Sequence, residues 1–144
     1  MAIDVCNLYD IAEAEDIDIL PFSLPETGSL SIMSDSGKCY IGMDNSISDN
    51  GTQERVHLAH ELGHCITGSF YNIYAAIDYR QRHENRADKW AISKLIPVTD
   101  LDDAVAEGYC EVWDLADYFG VTEDFVKKAV CYYIHGNVAT DLYF

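Results

Sequence analysis

The sequence predicts an α+β fold in which a small three-stranded antiparallel sheet packs on a mostly helical domain. Residues 3–15 place apolar side chains at helical spacing, and residues 17–24 form a short extended stretch whose proline suits the edge or the end of a strand. Residues 29–44 alternate apolar and polar side chains on both sides of the sequence SDSGK. This alternation predicts a β-hairpin with its turn at residues 35–38.

Helices are predicted for most of the chain after the hairpin. Thr52 is expected to cap the first of them, and a second long helix is expected over residues 80–95, because Pro97 would end it. Thr99 is expected to cap a third helix. Two more are expected in the segments EVWDLADYFG and TEDFVKKAVCYYI, which have the rhythm of a helix-turn-helix and are separated by Gly120 and Thr122.

The length and composition predict one domain over residues 1–144. Within it, residues 1–51 hold the N-terminal helix and the sheet, residues 52–97 the two long helices, and residues 98–135 a C-terminal helical unit. No apolar run reaches the roughly 18 residues that a membrane span needs, and the N-terminus lacks the basic region of a signal peptide. Five scattered cysteines without a CxxC pair predict reduced thiols, and therefore a cytoplasmic protein.

The charge of the chain argues against nucleic acid as a partner. There are 25 acidic residues and nine lysines and arginines, so the formal net charge is −16. Between residues 95 and 126 there are nine acids and no lysine or arginine. Such a field repels DNA phosphates and favours a basic partner surface, which the acids of residues 100–124 would attract. The alternative for these acids is a solvated helical surface.

Three of the five histidines fall in the stretch HLAHELGHC, residues 57–65. On a helix, His60 and His64 lie one turn apart on the same face, and Glu61 flanks the groove beside them. In this H-E-x-x-H spacing, two imidazoles bind a divalent metal and the glutamate deprotonates a metal-bound water. Burial of these groups without a partner is unfavourable, and a metal would supply one. The alternative is a helix whose core histidines are satisfied by hydrogen bonds.

A metal site needs a third protein ligand, and Glu84 on the second long helix is the candidate. Asp88 lies four residues further on the same face, where it could accept a hydrogen bond from the Nδ1–H of a liganding histidine. The alternative for both is a solvated, charged helix face. His57 would fill the coordination position that a catalytic site keeps open, so it is expected to lie outside the metal ligands, as are His83 and His135.

Gly63 interrupts the helix that carries the histidines, where glycine costs roughly 1 kcal/mol relative to alanine. We therefore expect another group to approach the helix backbone closely at this position. The neighbouring Cys65 is expected to be a buried thiol rather than a fourth metal ligand.

The two motifs together resemble the ImmA/IrrE family of metallopeptidases. The family pattern is H-E-x-x-H, followed by a helix with E-x-x-A-[DN]-x-[FW]-A-x-x-[LI]-[LIM]-P. The chain has ERVHLAHELGHCITG and then ENRADKWAISKLIP, which match this pattern from His60 to Pro97, with Lys94 where many members have leucine. The order of sheet, active-site helix, ligand helix and C-terminal helices is also that of the family.

The resemblance implies a zincin-like fold of the gluzincin type and a zinc-type peptidase, with Mn²⁺ or another divalent ion as an alternative. It implies that His60, His64 and Glu84 hold the metal and that Glu61 is the general base, with Asp88 supporting a liganding histidine. The substrate it implies is a helix-turn-helix transcriptional repressor of a phage, a mobile element or a stress regulon, cut in the cytoplasm.

The donor that stabilises the oxyanion of the transition state is left open by the sequence. Tyr74, Tyr79 and His83 are the candidates, because they lie between the two motifs or beside them. For each tyrosine the alternative is core packing with a hydrogen-bonded hydroxyl.

Two rival functions differ from a peptidase. A catalytically inactive metal-binding antirepressor would act through protein–protein binding alone, although it would not need Glu61. A DNA-binding module is suggested by the rhythm of residues 112–130, but the second helix begins with Glu123 and Asp124, which would meet DNA phosphates. We expect this segment to pack beneath the active site, with Trp113 among its core residues.

Overall fold

The computed structural model describes residues 5–48, 51–72 and 74–144. Its α+β architecture confirms the predicted fold class, and residues 3 and 4 of the predicted first helix lie outside the described residues. The elements in chain order are α1 (Val5–Ala14), β1 (Asp18–Pro21), β2 (Ser29–Met33), β3 (Cys39–Met43), α2 (Thr52–Thr67), α3 (Ile77–Leu95), α4 (Val98–Ala106), α5 (Val112–Phe119), α6 (Glu123–His135) and a short 3-10 helix (Thr140–Leu142).

The sheet is mixed, so the prediction of a wholly antiparallel sheet is wrong in one of its two strand pairs. β2 and β3 form the expected antiparallel hairpin, but the strand order is β1-β3-β2 and β1 runs parallel to β3. β3 takes the central place because its side chains are the most buried, with Cys39, Ile41 and Met43 all turned to the core. β1 therefore pairs with β3 instead of with β2, which follows it in the chain, and the β1–β3 pair is parallel.

α2 lies at the centre of the molecule. It packs against β2 and β3 and against the long helix α3, and Leu58, Ala59 and Leu62 are fully buried in these contacts. The close approach expected at Gly63 is made by α3, because the backbone of Ala87 occupies the space that a side chain at 63 would need. The crossing of α2 and α3 therefore sets the distance between the two predicted motifs.

Two of the predicted helix starts are wrong by a small margin. Gly51 is the N-cap of α2, so that Thr52 is already helical, and α4 follows directly on Pro97 rather than on Thr99. Pro97 is the N-cap residue of α4, with a φ of −56° that its ring restricts, and its carbonyl oxygen accepts a hydrogen bond from the Leu101 amide. Thr122 is confirmed as the cap of α6, where its hydroxyl accepts a hydrogen bond from the Phe125 amide.

The two last helices form the expected packing unit. α5 and α6 pack on one another around Gly120, and the buried residues of this unit join the main core: Leu115, Ala116, Phe119, Val121, Phe125 and Val126. Trp113 was expected in this core, and that expectation is wrong because its side chain is 58% exposed. It lies in the first turn of α5, on the side away from the buried residues.

The prediction of five reduced cysteines is wrong for two of them. Cys39 of β3 and Cys65 of α2 form a disulfide across 26 residues of sequence. Cys65 is therefore not a free thiol, and the bond connects the central strand to the helix that carries the two histidines. No local pattern in the chain indicates this pair, since only the packing of α2 on the sheet brings the two side chains together.

Candidate metal centre

His60 and His64 of α2 and Glu84 of α3 direct their ligand atoms at one another. His60 Nε2 lies 3.1 Å from Oε1 of Glu84, His64 Nε2 lies 2.9 Å from Oε2, and the two Nε2 atoms are 3.2 Å apart. One ligand atom from each residue lies within 4.8 Å of the other two. No second cluster of this kind occurs in the described parts of the chain.

The second ring nitrogen of each histidine is held by an acceptor. His64 Nδ1 lies 2.6 Å from the carbonyl oxygen of Ser69, and His60 Nδ1 lies 2.8 Å from Oδ1 of Asp88. Carbonyl and carboxylate oxygens only accept hydrogen bonds, so each Nδ1 carries the proton and donates it. When each imidazole is neutral, the lone pair of its Nε2 faces the cluster, and this is the form that binds a metal.

The donor set is compatible with a divalent cation. At these separations the Glu84 carboxylate is stabilised either by protons on the two Nε2 atoms or by a cation bound among the three groups. Two nitrogens and a carboxylate oxygen are typical of a catalytic zinc site, and they also accept other divalent transition metals. His60, His64 and Glu84 are therefore the residues that would hold the ion.

The same carboxylates shift the pKa values of the two histidines. Burial disfavours the charged form of His60, but hydrogen bonds to Asp88 and Glu84 outweigh burial and raise its pKa to about 10. Burial likewise lowers the pKa of His64, but its hydrogen bonds to Glu84 and to the carbonyl of Ser69 outweigh burial and raise this pKa. Burial raises the pKa of Glu84 and of Asp88, but the hydrogen bonds that these carboxylates accept from the histidines outweigh burial, so both pKa values are lowered. In the metal-free protein the carboxylates therefore stabilise positive charge on the two rings.

Asp88 connects the cluster to the C-terminal helices. Its side chain is 8% exposed, and while Oδ1 accepts the hydrogen bond from His60, Oδ2 accepts one from Lys128 Nζ of α6 at 3.1 Å. Lys128 was not among the candidates read from the sequence, because nothing local distinguishes it from Lys127. Packing of α6 against α3 gives it this position.

Glu61 is buried beside the cluster, at the wall of a cavity of about 850 Å³ that His60, His64 and Glu84 also line. The cavity lies between β2, α2, α3 and the first half of α6. Ser29 and Ser31 of β2 donate hydrogen bonds to the two oxygens of the Glu61 carboxylate. A carboxylate next to the ligand cluster and open to a cavity has the placement that a general base requires.

The three candidate oxyanion donors do not come together at the cluster. Tyr74 is 89% exposed, and Tyr79 packs edge-to-face on His83 with ring centroids 4.5 Å apart. None of the three is among the described residues that line the cavity. Tyr71 does line it, and burial together with a hydrogen bond to Glu84 raises the pKa of this tyrosine. Because it lies in an irregular connection between α2 and α3, no spacing rule pointed to it.

The remaining histidines occupy separate positions. His57 Nδ1 lies 2.8 Å from the hydroxyl oxygen of Ser29. His135 stacks on Tyr143 near the C-terminus, with ring centroids 3.7 Å apart. The cluster compatible with a metal, as far as the described residues show, comprises His60, His64 and Glu84 alone.

A family model described as the IrrE N-terminal-like domain, Peptidase M78, matches residues 12–130. The matched segment contains the H-E-x-x-H motif, Glu84 and Asp88, and it extends from α1 to α6. A comparison with curated proteins found no match. The family match confirms the resemblance to the ImmA/IrrE metallopeptidases and supports a metallopeptidase-type role.

Proposed function

The chain belongs to the Peptidase M78 family, and on this basis we propose that it is a metal-dependent endopeptidase that cleaves a helix-turn-helix transcriptional repressor. The observation that carries the proposal is the convergence of His60, His64 and Glu84 beside Glu61 in one cavity. We take residues 1–144 as a single metallopeptidase-like domain.

In this proposal His60, His64 and Glu84 hold Zn²⁺, with Mn²⁺ or another divalent ion as the alternative. The bound ion supplies Lewis acidity, which acidifies water and polarises the scissile carbonyl. Glu61 accepts a proton from the attacking water at a carboxylate oxygen and then donates it to the nitrogen of the leaving amine. Asp88 keeps the proton of His60 on Nδ1, so that Nε2 remains available as a ligand.

The edge of the sheet supports a polypeptide as substrate. β2 is the last strand in the order β1-β3-β2, and within the described residues no strand pairs with its outer edge. Leu30 and Ile32 of this strand line the cavity and are 49% and 54% exposed. An extended peptide that paired with the outer edge of β2 would pass directly beside Glu61.

The choice of a repressor rests on the family resemblance and on charge. A helix-turn-helix protein presents a basic surface to DNA, and the net charge of −16 on this chain is complementary to such a surface. We propose that the repressor belongs to a phage, a mobile element or a stress regulon, and that cleavage takes place in the cytoplasm. None of the described helices is long and apolar enough to cross a membrane.

The test uses purified zinc-loaded protein with two substrates: a helix-turn-helix repressor from the same genome, and a proteome-derived peptide library. Mass spectrometry of the products is expected to show discrete fragments for the wild type and none for Glu61→Gln at equal zinc content. The library makes the test independent of the choice of repressor. An uncleaved library together with a stable complex of intact repressor would contradict the endopeptidase and favour the binding-only antirepressor.

A further inference from the structure

The alternation of side chains along β2 is reversed with respect to the core. Leu30 and Ile32 are exposed, whereas Ser29 is 6% exposed and Ser31 is half-buried on the face that packs against α2. A strand beside a hydrophobic core normally turns its apolar residues inward and its polar residues outward. The reversal implies that a group on α2 requires these hydroxyls.

That group is the carboxylate of Glu61. Ser29 Oγ donates to Oε2 at 2.7 Å and Ser31 Oγ donates to Oε1 at 2.8 Å, so each carboxylate oxygen receives one hydroxyl. The two serines are two residues apart on a strand, which places them on the same face. Each carboxylate oxygen has two acceptor positions, so one on each remains for groups in the cavity.

His57, one helical turn before Glu61 on α2, also contacts the Ser29 hydroxyl. A hydroxyl has a single proton, and Ser29 donates it to Glu61, so the contact of 2.8 Å from Ser29 requires His57 Nδ1–H to be the donor. The ring lies against Gly28, where a β-carbon would come within 3.0 Å of His57 Cε1 and where the φ of +79° favours glycine. Burial lowers the pKa of His57, which agrees with a neutral ring that carries its proton on Nδ1.

We propose that Ser29 and Ser31, a hydroxyl clamp, together with His57, which is hydrogen-bonded to Ser29, are positioning residues that hold the Glu61 carboxylate in its orientation toward the reacting water. This inference rests on the proposed function, in which Glu61 is the general base. A base transfers a proton efficiently only within hydrogen-bond reach of it, and a carboxylate with both oxygens held cannot rotate away. Without the hydroxyl clamp, the Glu61 side chain would have alternative rotamers open to it.

Ser31 offers a matched pair of variants for the test. Ser31→Thr and Ser31→Val give side chains of nearly equal size and shape, both suited to a strand, but only threonine keeps the hydroxyl. Zinc-loaded Ser31→Val is expected to lose about 10- to 100-fold in kcat, with unchanged KM, while Ser31→Thr stays within about twofold of the wild type. Zinc content and Tm are measured in parallel, and Ser36→Ala, an exposed hydroxyl in the β2–β3 turn, serves as the remote control.

His57 is tested in a double-mutant cycle with Ser29. His57→Phe keeps an aromatic ring of similar size and removes the donor, so we expect kcat to fall in the wild-type background and to change no further in Ser29→Ala, because the two residues act through one hydrogen bond. Additive losses would show that His57 acts separately, and would remove it from the proposal.

Equal kcat values in Ser31→Val and Ser31→Thr would overturn the role of the hydroxyl clamp, as would a loss that follows zinc content. A zinc-loaded wild type that cleaves no peptide would instead refute the proposed function. The hydroxyl clamp would then be judged from crystal structures of the zinc-loaded pair. A Glu61 carboxylate displaced only in Ser31→Val supports it, and the same carboxylate position in both variants refutes it.

Discussion

Gly63 of α2 and Ala87 of α3 are in backbone contact, and a β-carbon on Gly63 would lie 2.5 Å from the carbonyl oxygen of Ala87. The obstructing atom belongs to a helix backbone, which cannot move aside as a flexible side chain could. His64 follows Gly63 directly, and Glu84 lies one helical turn before Ala87. The contact therefore holds the two motifs at the separation where one carboxylate reaches both histidines.

Gly63→Ala tests this contact. Helix propensity alone would stabilise the variant by roughly 1 kcal/mol, whereas overpacking typically costs about 1–3 kcal/mol. We expect the clash to prevail, so that urea denaturation shows a lower free energy of unfolding and the affinity for zinc falls because α3 is displaced. A variant more stable than the wild type would show that α3 does not approach α2 this closely.

His64→Ala tests the ligand assignment separately from catalysis. Loss of one of three ligands is expected to remove the bound metal from protein purified without chelator, and with it the increase in Tm on adding zinc. Metal analysis by mass spectrometry compares this variant with Glu61→Gln, which is expected to retain the metal because Glu61 is not one of the three ligands. Equal metal content in the wild type and in His64→Ala would exclude the proposed cluster.

Lys128→Met tests the connection from α6 through Asp88 to His60. Mutation of a group that orients a metal ligand commonly weakens metal binding by about 10- to 100-fold. Lys128 acts one step further away, through Asp88, so we expect a loss of zinc affinity at the lower end of this range. Lys127→Met is the matched control, since Lys127 lies over the Phe144 ring instead. Titration with zinc against a competing chelator gives both affinities, and equal losses in the two variants would point to an unspecific charge effect.

The stability of the metal-free protein is expected to depend on pH through His60. Its pKa in the folded protein is raised to about 10 by Asp88 and Glu84 against the opposing effect of burial. The interactions of protonated His60 with the two carboxylates therefore stabilise the folded protein. This stabilisation is fully present below the ordinary histidine pKa near 6.5 and is lost as the pH rises through about 10. Tm measured in chelator should therefore fall from pH 6.5 to 10 more steeply than in His60→Gln. Parallel curves for the two proteins would contradict this assignment.

The Cys39–Cys65 disulfide is expected to stabilise the fold. A loop of 26 residues closed by a disulfide corresponds to about 3.5 kcal/mol in the chain-entropy model. Reduction should lower the free energy of unfolding by about this amount, and Cys39→Ser should show no further change on reduction. Thiol counting on denatured protein, with and without reductant, checks the bond directly: two additional thiols should appear on reduction. In a reducing cytoplasm the bond would be open to reduction, so the same count on protein trapped in cells bears on the proposed location.

Much of the candidate site could be predicted from the sequence because it depends on helical spacing. His60 and His64 share a face whenever residues 52–67 are helical, and the same rule aligns Glu84 with Asp88 on α3. The β2–β3 hairpin could also be predicted from local sequence, since its turn and both strands of alternating side chains fall within residues 29–43. These features follow from backbone geometry over a few turns of chain, and tertiary contacts did not alter them.

Other features depended on how distant segments meet, and the sequence could not determine them. Alternation along β2 predicted a strand but not which face is buried, and it is the placement of Glu61 on α2 that turns Ser29 and Ser31 inward. The central position of β3, the Cys39–Cys65 bond and the contact of Lys128 with Asp88 likewise join residues far apart in the chain. Local sequence determined the candidate ligands on each helix. Only the packing of β2 and α6 against α2 and α3 decided what surrounds them, because hydrogen bonds between distant segments form only once the core has set their positions.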